Sequence, residues 1–177
     1  FGASRFQVFR RITVPGTGIV LNNEMDDFSA APNRPNAYGL IDTRGSNADE
    51  PGKRPLSSMT PTILMRDGKL RLATGRPGGP RIITAILEVI VNVIDFGMDL
   101  QSAVDAPRFH HQWLPDLVYA EPFTFSADTA AKFIAMGYTL KEQPPWGAAD
   151  AVLVAPGAST SSAGGAIDDS THRSPLV

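Results

Sequence analysis

The clearest alternation of hydrophobic and polar positions lies in TILMRDGKLRLATG, from Thr62 to Gly75. Two strand-like runs flank Asp67-Gly68, a dipeptide typical of a two-residue hairpin turn. The pattern therefore predicts a β-hairpin. Shorter apolar runs predict further strands at Ile12–Val14, Gly18–Asn22 and Ala151–Ala155.

The pattern changes to helical spacing after the hairpin. An apolar stretch runs from Ile82 to Phe96, and its polar positions recur at helical spacing as one narrow stripe: Thr84, Glu88, Asn92 and Asp95. A helix that is apolar on every other side is expected to be mostly buried. The spacing thus predicts a long, largely buried helix that starts after Gly75-Arg76-Pro77-Gly78-Gly79-Pro80.

Two shorter helices are predicted further along the chain. One runs from Asp99 to Asp105 and ends before Pro107, which restricts the residue preceding it. The other begins near Ser126, a good N-cap, and ends at Gly137, a good C′ residue. Strands, hairpin, helices and strands follow in mixed order, which favours an α+β fold over a parallel βαβ repeat.

The 177 residues suit a single domain, 1–177, with a core of its own. Residues 30–55 break the pattern, with four prolines, three glycines and little periodicity. Long loops of this kind in compact domains are usually functional lids or disordered segments. We interpret 30–55 as a lid-like loop, in which Tyr38 and Leu40 supply packing surface.

Composition removes several classes of function. The net charge of −2 gives no basic excess for nucleic acid, and the absence of cysteine excludes disulfides, thiolate metal sites and a cysteine nucleophile. The stretch Ile82–Phe96 is too short and too interrupted to span a bilayer, so no membrane insertion is expected. His110 and His111 are adjacent and point different ways, which favours structural roles. We expect no metal and no cofactor.

Gly78 and Gly79 stand where the chain enters the long helix. Backbone N–H groups near a helix start can converge on an anion, and glycine lets a substrate approach the backbone closely. The pair could therefore hold an oxyanion, or it could simply form a tight turn. It is not a phosphate loop, because the Gly-Lys-Ser/Thr ending is missing.

Two polar clusters lie before this corner. LNNEMDDFS places Glu24, Asp26 and Asp27 together after an apolar run, a cluster suited to an ammonium group or a metal, or to an acidic turn. Its spacing does not match a calcium loop. RPLSSMTPT places Ser57 beside Ser58, where hydroxyls could receive a carboxylate or form a plain serine-rich turn.

Four stretches taken in order carry a specific resemblance: GTGIVLNNEMDDFS, GKRPLSSMTPTIL, TGRPGGPRI and DAPRFHHQWLPD. Together they strongly resemble the small subunit of γ-glutamyltranspeptidases. The resemblance implies an N-terminal-nucleophile hydrolase fold with αββα layers. It also implies a precursor that cleaves itself into a large and a small subunit, so the large subunit is the expected partner.

The resemblance also implies a role for each matched residue. Gly78 and Gly79 match the oxyanion-hole pair, and Ser57 and Ser58 match the pair that receives the glutamyl α-carboxylate. Glu24 and Asp27 match the acidic pair that holds the α-ammonium. Tyr38, in NAYGLID, matches the aromatic of the substrate lid. The implied substrate is a γ-glutamyl amide such as glutathione, cleaved through a γ-glutamyl-threonine intermediate and passed to water, an amino acid or a peptide.

One feature of that family is missing. Its nucleophilic threonine and a following T-x-T-x-N stretch precede the Phe-Gly that aligns with Phe1-Gly2, so the chain is expected to be a truncated small subunit, inactive alone and poorly soluble or oligomeric. Thr13 and Thr17 lack the nucleophile's context. The alternatives are a non-catalytic γ-glutamyl-binding or scaffold protein and a related β-lactam side-chain acylase. By resemblance alone, the location is periplasmic or extracellular.

Overall fold

The structure is a computed structural model that describes residues 13–22, 24–146, 148–154 and 164–167. The chain divides into two compact units, with Ser58 ending the first and Met59 beginning the second. The single-domain interpretation stays a prediction. Ile12 and Ala155, at the ends of two predicted strands, lie outside the described residues.

The second unit contains all the regular strands and α-helices of the described residues. In chain order they are β1 (Thr62–Arg66), β2 (Lys69–Gly75), α1 (Arg81–Ile94), α2 (Leu100–Asp105), β3 (Phe109–His110), β4 (Val118–Ala120), α3 (Ala127–Ala135), β5 (Leu140–Glu142), β6 (Asp150–Leu153) and β7 (Gly164–Ile167). This mixture confirms the α+β prediction. The strands form an antiparallel sheet in the order β1-β2-β6-β7 and a smaller sheet in the order β3-β4-β5.

The predicted hairpin is confirmed. Strands β1 and β2 pair antiparallel, and Arg66 lies opposite Lys69 across a two-residue turn. Both turn residues have positive φ, +52° at Asp67 and +73° at Gly68, as a type I′ turn requires. The strand predicted near Ala151 is confirmed as β6, which pairs with β2.

The core of the second unit lies where α1 and α2 pack on the larger sheet. Leu72 from β2 is fully buried there, and Val89 of α1 and Val104 of α2 contact the same cluster. The predicted α2 is confirmed: Asp99 is its N-cap and accepts a hydrogen bond from the N–H of Ser102 at 3.0 Å. The core therefore holds α1 against the sheet, and the two glycines precede the first residue of this helix, Arg81.

The expectation that α1 is mostly buried was wrong for one face. Ile83, Leu87 and Ile94 are 50%, 57% and 49% exposed, whereas the polar Thr84 and Glu88 are half-buried. A single helix on one face of a sheet can bury only the side that faces the sheet, and here part of its polar stripe packs against other elements of the unit. The outer apolar face of α1 is thus exposed in this chain.

The third predicted helix is confirmed as α3, with Ser126 at the N-cap position and Gly137 after its end with a φ of +95°. The Ser126 side chain does not cap the backbone. Its hydroxyl instead donates to Oδ1 of Asp128 at 2.5 Å.

The strand prediction for Gly18–Asn22, and for the described part of Ile12–Val14, was wrong. In these residues the only strand-like pairing is a single antiparallel bridge between Thr13 and Val20. Pro15 has no N–H to donate to a ladder, and Gly16 and Gly18 adopt positive φ, so the chain turns instead of extending.

Candidate active site

In the first unit, Glu24–Asp27 forms one turn of 3-10 helix rather than an extended segment. Asp27 is only 7% exposed. Burial, a hydrogen bond with the Glu24 side chain and the nearby charges of Glu24 and Asp26 raise the pKa of Asp27 to about 7. A hydrogen bond between two carboxyl groups requires a proton on one of them, and the raised pKa favours a proton on Asp27. A bound cation could take the place of that proton.

Two asparagine side chains hold this acidic turn in place. The main-chain carbonyl of Asp27 accepts hydrogen bonds from Nδ2 of Asn36 at 2.9 Å and from Nδ2 of Asn47 at 2.7 Å. A carbonyl with two donors satisfies both of its lone pairs. The turn that carries Glu24 and Asp27 is therefore fixed from outside by the loop that follows it.

That loop is the predicted lid-like segment, and its own side chains order it. Oδ1 of Asn36 accepts the main-chain N–H groups of Tyr38 at 3.0 Å and Leu40 at 2.9 Å. Asp42 accepts the N–H of Asn47 at 2.7 Å, and such backbone donors keep the pKa of Asp42 below its usual value. Tyr38 is half-buried and lies in the turn that Asn36 closes.

The serine pair is linked to the acidic turn through Asn47. Oδ1 of Asn47 accepts the N–H of Leu56 at 2.9 Å, while its Nδ2 donates to Asp27. One buried amide group therefore brings the main chain of Asp27 and the residue preceding Ser57 together. Ser57 is exposed and Ser58 is half-buried, at the end of an extended stretch.

In the second unit, Gly78 and Gly79 form the corner between β2 and α1. Their φ values are +141° and +58°, and a side chain rarely adopts the first of these. Among the described residues, neither main-chain N–H has a hydrogen-bond acceptor. The next residue, Pro80, is the N-cap of α1 and has no N–H. The corner thus presents two half-buried N–H donors beside the positive end of a 14-residue helix.

The sequence did not single out Arg76, which lies beside this corner and is only 3% exposed. Its Nε donates to the carbonyl oxygen of Pro77 at 2.8 Å, and its Nη2 donates to the carbonyl oxygen of Trp146 at 3.0 Å. A Cβ placed on Gly78 would lie 3.0 Å from Nη2 of Arg76. Arginine in a Pro/Gly-rich turn looks like a solvated residue, so the sequence held no signal for its burial.

Trp146, whose carbonyl oxygen accepts from Arg76, is held by a buried ion pair between Glu121 and Arg108. Oε1 of Glu121 accepts the N–H of Trp146 at 2.9 Å, and Oε2 accepts the N–H of Arg108 at 3.0 Å. Glu121 and Arg108 are 5% and 2% exposed, and Nη1 of Arg108 lies 3.8 Å from Oε1 of Glu121. Arg81 stacks over the Trp146 ring at 4.6 Å. Trp146 is therefore held on several sides.

Glu88 is a half-buried carboxyl on α1. Its Oε1 accepts the N–H of Phe109 at 3.0 Å, and its Oε2 has no hydrogen-bond partner among the described residues. Burial raises the pKa of Glu88 to about 7, against the opposing effects of the Phe109 N–H and the charge of Arg108. Glu88 is thus partly protonated near neutral pH.

Both histidines make contacts within the protein, in line with structural roles. Nδ1 of His110 lies 2.9 Å from Oγ1 of Thr84, and burial lowers the pKa of His110. His111 lies 2.9 Å from Oδ1 of Asp116. Across the described ranges no three histidine or acidic side chains come together as a metal site would need. Nor does this part of the chain contain a helix long and apolar enough to cross a membrane.

Solved structures define the class of protein. A mutant of Helicobacter pylori gamma-glutamyltranspeptidase matches with a TM-score of 0.79 and 46% identity, over 90% of this chain and 85% of that chain. The Pseudomonas nitroreducens gamma-glutamyltranspeptidase complexed with L-DON matches with a TM-score of 0.74 and 43% identity, over 90% and 81%. These neighbours confirm the predicted N-terminal-nucleophile hydrolase fold.

The family follows from the sequence comparisons. The model described as gamma-glutamyltranspeptidase matches residues 10–175, and the chain belongs to this family, in its small-subunit portion. The glutathione hydrolase proenzyme of Escherichia coli K12 is 51% identical over 140 residues, which cover 79% of this chain and 24% of that protein. The chain spans about a quarter of the length of this protein and of the glutathione hydrolase proenzyme of Pseudomonas sp. A14.

A more distant structure bears on one alternative. The cephalosporin acylase from Bacillus halodurans matches with a TM-score of 0.67 and 27% identity, over 89% of this chain and 27% of that chain. An acylase is therefore among the proteins that share this fold.

Proposed function

We propose that the protein containing this chain cleaves γ-glutamyl amides, glutathione among them. A threonine hydroxyl attacks the γ-carbonyl carbon, the amine leaves with a proton, and a γ-glutamyl ester remains on the threonine. Water, an amino acid or a peptide then attacks the ester and releases the glutamyl group. The α-amino group of the nucleophilic threonine can serve as the base.

The observation that carries this proposal is the acidic pair Glu24–Asp27. Burial and the hydrogen bond and charge of Glu24 raise the pKa of Asp27 to about 7, and a bound cation would stabilise the pair because it relieves the repulsion between the two carboxyl groups. The α-ammonium of a γ-glutamyl group supplies that cation. Ser57 and Ser58 follow Leu56, which Asn47 ties to Asp27, and their hydroxyls suit the α-carboxylate of the same headgroup.

We assign Gly78 and Gly79 the role of oxyanion donors. Two N–H groups without an acceptor among the described residues are available to a negatively charged oxygen, and the start of α1 adds favourable potential. Positive φ at both positions explains why glycine is needed there. Tyr38, held in the loop that Asn36 closes, is proposed to cover the bound headgroup.

The likeness to a cephalosporin acylase supports a second candidate, hydrolysis of a glutaryl side chain. A glutaryl group has no α-ammonium. The pair Glu24–Asp27 would then face a neutral methylene group with its charge uncompensated, which is unfavourable for a buried carboxyl. We therefore favour the γ-glutamyl substrate. A non-catalytic binding protein would hold the same headgroup without turning it over.

The remaining parts of the proposal concern the whole protein. The chain pairs with a large subunit from the same precursor, and this partner covers the exposed face of α1 that includes Ile83 and Leu87. No threonine of the chain stands in the nucleophile's sequence context, so the chain alone is inactive. The protein is periplasmic or extracellular.

The test uses the full-length protein and γ-glutamyl p-nitroanilide. We expect release of nitroaniline, and we expect Asp27→Asn to raise KM by about tenfold or more because a buried charge contact is lost. Asp49→Asn, which changes an exposed aspartate of the same unit, is the matched control and should leave KM unchanged. Absence of turnover by the wild-type protein, or an equal effect of the two variants, would refute the proposal.

A further inference from the structure

We propose that Arg76 is a positioning residue that sets the direction of the Gly78 N–H donor. The inference rests on the proposed function, because it assigns to Arg76 control over one of the two oxyanion donors. The proposed function gives Arg76 itself neither a reacting atom nor a part of the headgroup site.

The peptide group in question joins Pro77 to Gly78. Its carbonyl oxygen belongs to Pro77 and its N–H belongs to Gly78, and a trans peptide is planar, so these two groups point in opposite directions. Nε of Arg76 donates to that carbonyl oxygen at 2.8 Å. By fixing the carbonyl, Arg76 aims the Gly78 N–H away from the guanidinium, toward the opposite side of the turn.

The hydrogen bond also changes the strength of the donor. A guanidinium is charged, and charge-assisted hydrogen bonds are stronger than neutral ones. Drawing electron density toward the Pro77 oxygen polarises the same amide and makes its N–H a better donor. Arg76 therefore both orients and strengthens the Gly78 donor.

A flexible arginine could not hold the Pro77–Gly78 peptide in one orientation. The side chain of Arg76, however, is fixed in place. It is 3% exposed, and its Nη2 donates to the carbonyl of Trp146 at 3.0 Å. The Trp146 N–H is in turn held by Glu121 at 2.9 Å, and Glu121 pairs with the buried Arg108. The guanidinium is thus fixed between the glycine turn and a main-chain segment that a buried ion pair stabilises.

The missing side chain of Gly78 leaves room for the guanidinium of Arg76. A Cβ on Gly78 would lie 3.0 Å from Nη2 of Arg76 and 3.5 Å from its Cζ, so the guanidinium fills the volume that a side chain would need. Gly78 has a φ of +141°, and because glycine has no Cβ, little in the residue itself holds its backbone in one conformation. An external hydrogen bond is therefore needed to select one orientation of this peptide.

The experiment measures kcat and KM of the full-length protein with γ-glutamyl p-nitroanilide, after cleavage into two chains has been checked on a gel. We expect Arg76→Ala to lower kcat by at least about tenfold and to leave KM within about twofold, because a transition-state interaction is lost. Added guanidinium ion should restore part of kcat. Arg76→Lys, which keeps the charge but loses the fork of donors, should lower kcat by about threefold or more.

Arg71→Ala is the matched control. Arg71 lies on the same strand β2 and donates to the main-chain carbonyl of Val154, but it does not contact the glycine turn. We expect kcat within about twofold of wild type and no response to guanidinium. An Arg76→Ala enzyme with wild-type kcat, or one with raised KM and unchanged kcat, would overturn the inference. If Arg76→Ala does not mature, a wild-type kcat for Arg76→Lys would overturn it equally.

A wild-type protein without turnover would refute the proposed function and not this inference. A crystal structure of Arg76→Ala then decides it. We expect the Pro77–Gly78 peptide to turn away from its wild-type orientation, and an unchanged peptide plane would overturn the inference.

Discussion

Replacing Glu24 with glutamine tests the electrostatics of the acidic pair. The pKa of Asp27 is raised from 3.8 to about 7, with burial as the largest cause and the Glu24 hydrogen bond and charge next. Glutamine is of similar size and removes the charge. Its amide can donate to an ionised Asp27, which favours the charged form. Glu24→Gln should therefore lower the pKa of Asp27.

The full pKa shift of Asp27 sets the upper limit of the effect. The whole shift, from 3.8 to about 7, is about three pKa units, and each unit corresponds to about 1.4 kcal/mol. At pH 6 a carboxyl with a pKa of about 7 is about one tenth ionised, so a lower pKa in Glu24→Gln raises the ionised fraction of Asp27 there. The loss of one negative charge also weakens the attraction for the ammonium at high pH.

The assay is the pH profile of kcat/KM for γ-glutamyl p-nitroanilide with the full-length protein. In the wild type, kcat/KM should rise with pH up to about 7, because an ionised Asp27 binds the ammonium more tightly. In Glu24→Gln the midpoint should fall below the wild-type value, and the plateau should be lower because one negative charge is lost. Asp26→Asn is the control, since Asp26 is the weakest contributor, and it should move the midpoint less. A midpoint that stays or rises in Glu24→Gln would refute the reasoning.

Three further predictions follow. Gly78→Ala should lower kcat by about 100-fold, because a side chain at a φ of +141° and 3.0 Å from a guanidinium displaces an oxyanion donor. Asn47→Ala should raise KM by about tenfold, because the acidic turn and the serine pair lose their shared buried amide. Glu88→Gln should flatten the pH dependence of the melting temperature of the full-length protein. A carboxyl whose pKa rises from 4.5 to about 7 on folding makes the folded state less stable as the pH increases through that interval.

Each prediction has a control at a comparable position. Gly97→Ala also introduces a side chain at positive φ, but into open space, and an equal loss of kcat there would contradict the role of Gly78. Asn92→Ala removes a half-buried amide outside the acidic turn, and a similar rise in KM would contradict the role of Asn47. Glu142→Gln changes an exposed glutamate, and an unchanged pH slope in Glu88→Gln would count against a protonated Glu88.

The sequence predicted those elements whose signals are local. The dipeptide Asp67-Gly68 favours a type I′ turn by itself, and Asp99 is the N-cap residue that starts α2. Strands β3, β4 and β5 were missed because two or three residues are too few for a period to be seen. We predicted a strand around Val20 from its apolar residues and gave too little weight to Pro15 and to the two nearby glycines, which favour a turn.

Some residues of the candidate site could likewise be identified from the sequence, and others could not. Glu24, Ser57 and Gly78 stand in stretches with recognisable order, so they were identified as candidates from sequence. Asn47 and Arg76 were not, because their importance comes from burial and from main-chain partners distant in sequence. In a polar, proline-rich segment such residues look solvated, and only the folded chain distinguishes them.

The most direct test of the γ-glutamyl assignment compares two anilides on the full-length protein. One carries a γ-glutamyl group and the other a glutaryl group, which differs only in lacking the α-amino group. Because the pair Glu24–Asp27 is assigned to the ammonium, we predict that kcat/KM favours the γ-glutamyl anilide by about 100-fold or more. Equal values, or a preference for the glutaryl anilide, would contradict the assignment.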